Sequence, residues 1–186
     1  MKRRVILAAL ALPVSARADE AALATQMAAL AAVRQRRSRF TEERAIPELD
    51  VPLPNSGTLS WQAPDRLEKH TLSPFEERLT VAGGRLTYER PDRGIRRDFS
   101  LSEQPEMAAL VEAIRSTLAG DLATLRRHYE VGFESWAGGA WRMVLSPLAF
   151  RVRGAVQRIV VTGRGPEVTG VDTEGGGGVT RMRIIS

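Results

Sequence analysis

The sequence predicts an α+β fold: an incomplete antiparallel β-barrel of about ten strands with covering helices. Three observations carry this. The stretch Gly57 to Lys69 reads as a strand, a bend at Pro64 and a second strand. A period of two in apolar residues runs from Ser38 to Leu101 and returns from Tyr129 to Ile185, broken by glycine turns. Two stretches, Asp19 to Arg37 and Glu103 to Leu118, carry apolar residues at helical spacing instead.

In chain order, Leu23, Met27, Leu30 and Ala31 form the stripe of the first helix. Asp19 or Glu20 lies near its start, favourable against the helix dipole, and Arg34, Arg36 and Arg37 are expected in its last turn. A strand begins at Phe40, and Pro47, Pro52, Pro54 and Asn55 mark a loop. Leu59 and Trp61 then share one strand face, because side chains alternate. Pro64 belongs at the bend, since proline cannot donate a ladder hydrogen bond. Leu79 and Val81 alternate, Gly83-Gly84 turns the chain, and Leu86 and Tyr88 alternate on the way back, a hairpin signature. Ile95, Phe99 and Leu101 mark one more strand.

The second helix carries Met107, Leu110, Val111, Ile114 and Leu118 on one stripe and ends at Gly120. Asp121 caps a short helix that runs to His128. Tyr129 to Phe133, Trp141 to Leu145, Val156 to Val161, Val168 to Val171 and Val179 to Ile185 follow as short strands, some separated by Gly138-Gly139 and by Gly175 to Gly178. Closely spaced strands of this kind build a curved antiparallel sheet or barrel.

The first residues read as a secretory signal peptide, residues 1–18. Met1 to Arg4 is the positive region, Val5 to Val14 the apolar one, and Ala16-Arg17-Ala18 the cleavage site. The apolar run is shorter than the roughly 20 residues a membrane span needs. Residues 19–186 are expected to form a single domain, periplasmic after export. Cleavage removes Lys2, Arg3, Arg4 and Arg17, so 23 basic residues face 22 acidic ones and the net charge falls from +5 to +1. A near-neutral exported chain is a poor nucleic-acid binder. The arginines of 34–39 and 93–97 fit either contact with anionic lipid heads or an acidic partner, or an ordinary charged surface.

Catalytic chemistry finds little footing. The chain has no cysteine, so thiol catalysis and disulfides are both out. His70 and His128 are far apart and lack zinc-site spacing. The glycine run 175–178 lacks the lysine and helix of a phosphate loop. Glu42-Glu43 and Glu76-Glu77 are adjacent pairs whose members face opposite ways on a strand, and solvated charge is the plainer account of both. No cofactor, no metal and no enzymatic activity are expected.

The spacing Gly57-x-Leu59 with Pro64 resembles the signature of the LolA family, soluble periplasmic carriers of outer-membrane lipoproteins. Phe40 and, more loosely, the last strands also fit. Ala63 departs from the pattern, because the family usually has a basic residue there, one thought to hold the closed lid through contacts to helix backbone. Lys69 stands where the family often has an aromatic. These departures suit a divergent paralogue with a different acylated cargo.

The resemblance implies an apolar cavity between sheet and helices, loaded by an inner-membrane donor complex and emptied by an outer-membrane acceptor. A monomer is expected. The candidate lipid-binding residues of the sheet are Leu59, Trp61, Leu67, Leu79, Val81, Leu86, Tyr88, Phe99, Met143, Leu145, Ile159 and Val161. Met107, Leu110, Val111 and Ile114 would form the helical lid. Plain core packing explains each of these residues as well. Lys69 either snorkels toward a lipid head group or ends a strand in water. The alternative function is a periplasmic regulatory domain that senses acylated signals on a similar half-barrel.

Overall fold

The structure, a computed structural model, describes residues 14–45 and 51–185. Residues 1–13, with most of the expected signal peptide, and Pro47 lie outside the described residues. Helix α1 spans Val14–Ala31 and buries Leu23, Met27 and Leu30, the expected stripe. It starts earlier and ends earlier than the sequence predicts. Arg36 and Arg37 belong not to its last turn but to strand β1 (Gln35–Ala45). The period of two in β1, with Ser38, Phe40 and Glu42 buried between exposed neighbours, extends back past the arginines. Pairing with the next strand along its whole length, Gln35↔Gln62 to Arg44↔Leu53, decides the boundary over local helix preference.

Strands β2 (Leu53–Gln62), β3 (Arg66–Ser73), β4 (Glu77–Ala82), β5 (Arg85–Arg90) and β6 (Ile95–Ser100) follow as a meander. Pro54 and Asn55 are not loop residues but the second and third residues of β2, before its pairing with β3 begins at Ser56, where a proline is tolerated. A second meander holds β7 (Tyr129–Ser135), β8 (Ala140–Pro147), β9 (Arg158–Arg164), β10 (Glu167–Gly175) and β11 (Gly178–Ile185). β1 pairs antiparallel with β11 and fuses the two meanders. The result is one open antiparallel sheet of eleven strands in the order β6-β5-β4-β3-β2-β1-β11-β10-β9-β8-β7. Each of the eleven strand runs read from the sequence is present, against a rounded total of about ten.

This order explains the covering helices. β6 and β7 are consecutive in the chain but lie at opposite edges of the sheet, so the connection between them must travel across the sheet. It does so as α2 (Pro105–Ala119) and α3 (Leu122–His128). Pro105 opens α2, and Gly120, at φ 69°, closes it with its N–H on the carbonyls of Ser116 and Thr117. The Asp121 side chain then accepts the Thr124 N–H at 2.9 Å and caps α3. A short α4 (Phe150–Arg153), which the sequence reading missed, fills the β8–β9 connection.

The main core joins Leu23, Met27 and Leu30 of α1, Ala113 of α2 and Leu125 of α3 to Tyr129, Trp141, Met143, Leu145, Ile159 and Val161 of β7 to β9. The helices therefore share a core with the second meander. Phe40, Trp61, Val81 and Leu86 are buried outside that cluster.

Candidate functional site

Register shows which side chains share a face. Residues directly opposite on paired strands point the same way. Trp61, Leu67, Val81, Leu86 and Phe99 are successive partners across β2 to β6 and form one apolar row. The next row is Leu59, Lys69, Leu79, Tyr88 and Arg97. In the second meander Met143 pairs with Val161, and Leu145 with Ile159. Val161 leads through Val171 and Met182 to Glu42, on the same face of β1 as Ser38, the partner of Leu59. All the strand candidates thus lie on one face of the sheet, the face that carries the helices.

The two halves of that face differ. Met143, Leu145, Ile159 and Val161 are fully buried beneath α1 to α3 as ordinary core. In the first meander Leu59, Leu67, Leu79, Tyr88 and Phe99 are half-buried, while Trp61, Val81 and Leu86 are buried. The expected lid stripe is also uneven. Leu110 packs on the core, Val111 and Ile114 are half-buried, and Met107 is 43 % exposed. The buried residues of α2 are the small ones, Ala113, Ser116 and Thr117. The Ser116 hydroxyl donates to Glu112 and the Thr117 hydroxyl to the Ala113 carbonyl, so both hydroxyls are satisfied inside.

The first-meander half runs from apolar to polar. Beyond the Lys69 row, toward the rim where β1 ends and β2 begins, stand Thr71, Glu77 and Arg90, then Glu42 and Asn55. Glu42 is buried, contrary to its reading as solvated charge. Its two carboxylate oxygens each lie 2.7 Å from the Lys69 ammonium, and Asn55 donates to it at 3.2 Å. Lys69 does not end a strand in water. It is mid-strand in β3, its ammonium 5.1 Å from the centre of the Phe40 ring, on a stem between Leu59 and Leu79. Glu42 escaped the sequence reading because its neighbour Glu43 suggested a charged doublet. The shared parity of Ser38, Phe40 and Glu42 was the available signal. Arg90 pairs with Asp92 at 3.1 Å and with Glu77 at 3.6 Å. Burial and the neighbouring Glu77 raise the Tyr88 phenol above its usual pKa.

Gly57 explains its place in the sequence signature. A Cβ there would overlap the backbone carbonyl of His70 on β3. Ala63 contributes a backbone donor where a basic side chain was expected. Its N–H reaches the Arg34 carbonyl at 2.8 Å, and the Trp61 indole N–H reaches the Val33 carbonyl at 3.0 Å, so the β2–β3 turn ties down the exit of α1. The backbone of α2 is held by Tyr129, whose hydroxyl donates to the Ala109 carbonyl at 2.6 Å. Burial, with a smaller effect from the Glu112 charge, pushes the Tyr129 phenol up to about 12. No cluster of three metal-ligating side chains occurs among the described residues. His70 faces Glu76 at 2.9 Å on the other face of β3, and His128 ends α3. No described helix is long and apolar enough to cross a membrane.

No curated protein matches the chain in sequence. Among solved structures, the LolA superfamily protein NE2245 from Nitrosomonas europaea is 10 % identical with a TM-score of 0.42, over 87 % of this chain and 90 % of that one. The structure of MucB in complex with periplasmic MucA gives 12 % identity and a TM-score of 0.43 over 89 % of this chain, which spans 54 % of the matched one. LprF from Mycobacterium bovis gives 8 % and 0.37, over 88 % and 91 %. The family described as outer membrane lipoprotein carrier protein LolA-like matches residues 13–184, nearly the whole chain, and the chain belongs to that family.

Proposed function

We propose that this chain is a periplasmic carrier that holds the acyl chains of lipoproteins or other lipids against the first-meander half of its concave face. It would shuttle them from an inner-membrane donor toward an outer-membrane acceptor, as a non-enzymatic monomer exported by residues 1–18. One observation supports this most: the Trp61 and Leu59 rows continue the core-forming face of the second meander, yet leave Leu59, Leu67, Leu79, Tyr88 and Phe99 half-buried. The acyl chain would lie along these rows. The half-exposed stripe of Met107, Val111 and Ile114 would close over it. The head group would lie toward the polar end, where the Lys69 ammonium is held by Glu42.

The energetics suffice without catalysis. Each buried methylene is worth about 0.8 kcal/mol, so ten contribute roughly 8 kcal/mol before the cost of immobilising the chain. Micromolar affinity is therefore about the upper bound for ten methylenes, and a longer or second acyl chain raises it. Release then needs no energy source in the carrier, just an acceptor that binds more tightly.

The test is to purify the exported chain, extract it under denaturing conditions and identify the bound lipid by mass spectrometry. The expected result is a stoichiometric acylated lipid, lost when Leu59 is replaced by Glu in a protein that still folds. Absence of lipid, together with no uptake of acylated probes, overturns the proposal. Uptake without transfer to acceptor vesicles favours the sensing alternative.

A further inference from the structure

We propose that one rim of the half-barrel docks directly on an anionic phospholipid surface. The inference rests on side chains outside the concave face's apolar rows, and it holds whether or not that face carries a lipid. In an antiparallel sheet, alternate strand ends share a rim. The end of β1, the start of β2, the end of β3, the start of β4, the end of β8 and the start of β9 all lie on one side. Of the large apolar residues exposed among the described ones, six gather there: Val51 and Leu53 before and at the start of β2, Leu72 and Phe75 around the β3–β4 turn, and Leu148 and Phe150 after β8. Phe150, at 87 %, is the most exposed of the six. Trp136 and Ile185 lie on the opposite rim, and the exposed Met107 stands in the first turn of α2, which starts from that side.

Charge on the same rim favours lipid phosphate over an apolar protein partner. Arg44, Arg93, Arg127, Arg151 and Arg153 are exposed there, and none has a carboxylate partner among the described residues. Against them stand Glu43 and Glu130 without a cation among those residues, and the sequence between β1 and β2 adds Glu48 and Asp50, whereas Glu76, Asp92 and Glu174 are already paired with His70, Arg90 and Arg158. The short run Leu148-Ala149-Phe150-Arg151-Val152-Arg153 alternates exposed apolar and cationic side chains around a buried Val152. Arg153 donates to the Pro147 and Leu148 carbonyls and fixes that run. Exposed aromatic and aliphatic side chains interleaved with arginine suit a bilayer interface, with the apolar groups below the head groups and the guanidinium groups among them. The polar end of the concave face, with Glu77 and Arg90, opens toward this rim.

The absence of cysteine allows a single labelled position. Ala149→Cys and Ala137→Cys place an environment-sensitive fluorophore on the two rims in turn, both at exposed residues. The full chain is titrated with vesicles of phosphatidylglycerol and phosphatidylcholine. The expected result is a blue shift and brightening at position 149 and none at 137. Partitioning should weaken about tenfold or more in Phe75→Asp/Phe150→Asp. It should weaken about fivefold for Arg93→Ala or Arg151→Ala, and further at high salt. Uptake of acylated probes in solution should be unchanged in these variants, which separates this proposal from the carrier reading. No shift at 149, an equal shift at 137, or partitioning unaffected by the Phe75 and Phe150 substitutions overturns it. So does capture by an acidic protein with no vesicle binding.

Discussion

Replacing Lys69 with methionine removes the ammonium that faces both oxygens of Glu42 at 2.7 Å and leaves the thioether to keep the packing on Phe40. Glu42 then keeps Asn55, at 3.2 Å, as its hydrogen-bond donor, with 8 % of its side chain in water. Stranding a fully buried charge costs about 3–5 kcal/mol, and losing an exposed pair costs about 0–1 kcal/mol. The Lys69 side chain is 26 % exposed, so water can reach part of the site, and a loss of about 2–3 kcal/mol is expected. In a domain of this size that lowers Tm by roughly 5–10 °C. Glu42→Leu with Lys69→Met removes both charges and should return to within about 1 kcal/mol of the parent, a coupling of about 2 kcal/mol across the cycle. Urea unfolding of the parent, both single variants and the double variant measures it. A Lys69→Met cost below about 0.5 kcal/mol, or additive single effects, would refute the buried ion pair.

Gly57→Ala should destabilise by at least about 2 kcal/mol, because the added carbon meets the His70 carbonyl of the paired strand rather than open space; denaturant unfolding reads this directly. Asp121→Ala should cost about 1 kcal/mol by uncapping α3. The hydrogen bonds from Thr124 hold the Asp121 carboxyl below its usual pKa. Its contribution is therefore present above the unfolded-state pKa and lost as pH falls through the lower folded value, a dependence that Asp121→Ala removes. For Tyr129 the sign is opposite. Its folded pKa of about 12 exceeds the unfolded value of 10, so its contribution is complete below pH 10 and declines from there through pH 12. Tyr129→Phe should abolish that alkaline decline and loosen α2, seen as faster amide exchange near Ala109.

Much of the fold was legible because the sheet is built from local signals. Glycine turns at 83–84 and 138–139 and strict alternation in Trp141, Met143 and Leu145 are properties of neighbouring residues. The errors fall where distant pairing decides. Arg36 and Arg37 look like a helix end, yet Arg36 pairs with Trp61 and Arg37 with Ser60 in a strand. Glu42 looks like surface charge until β3 brings Lys69 to it, 27 residues on. The candidate lining was legible as one face, because alternation marks a face. Periodicity did not reveal that its second-meander half is packed solid beneath α1 to α3, since which half the helices cover depends on β6 and β7 closing opposite edges of the sheet. Nor did helical spacing show that α2 turns Ala113, Ser116 and Thr117 inward and leaves Met107 exposed.

The most direct measurement uses Trp61, which lies in the apolar row proposed for the acyl chain. A fatty acyl probe brominated along its chain quenches tryptophan on contact. Titrated into the lipid-free chain, it should quench to saturation at one probe per chain. The quench should vanish in Trp61→Phe, which leaves Trp136 and Trp141, and binding itself should fail in Leu79→Asp. Absence of saturable quenching, or quenching that persists in Trp61→Phe, would contradict an acyl chain held on this face.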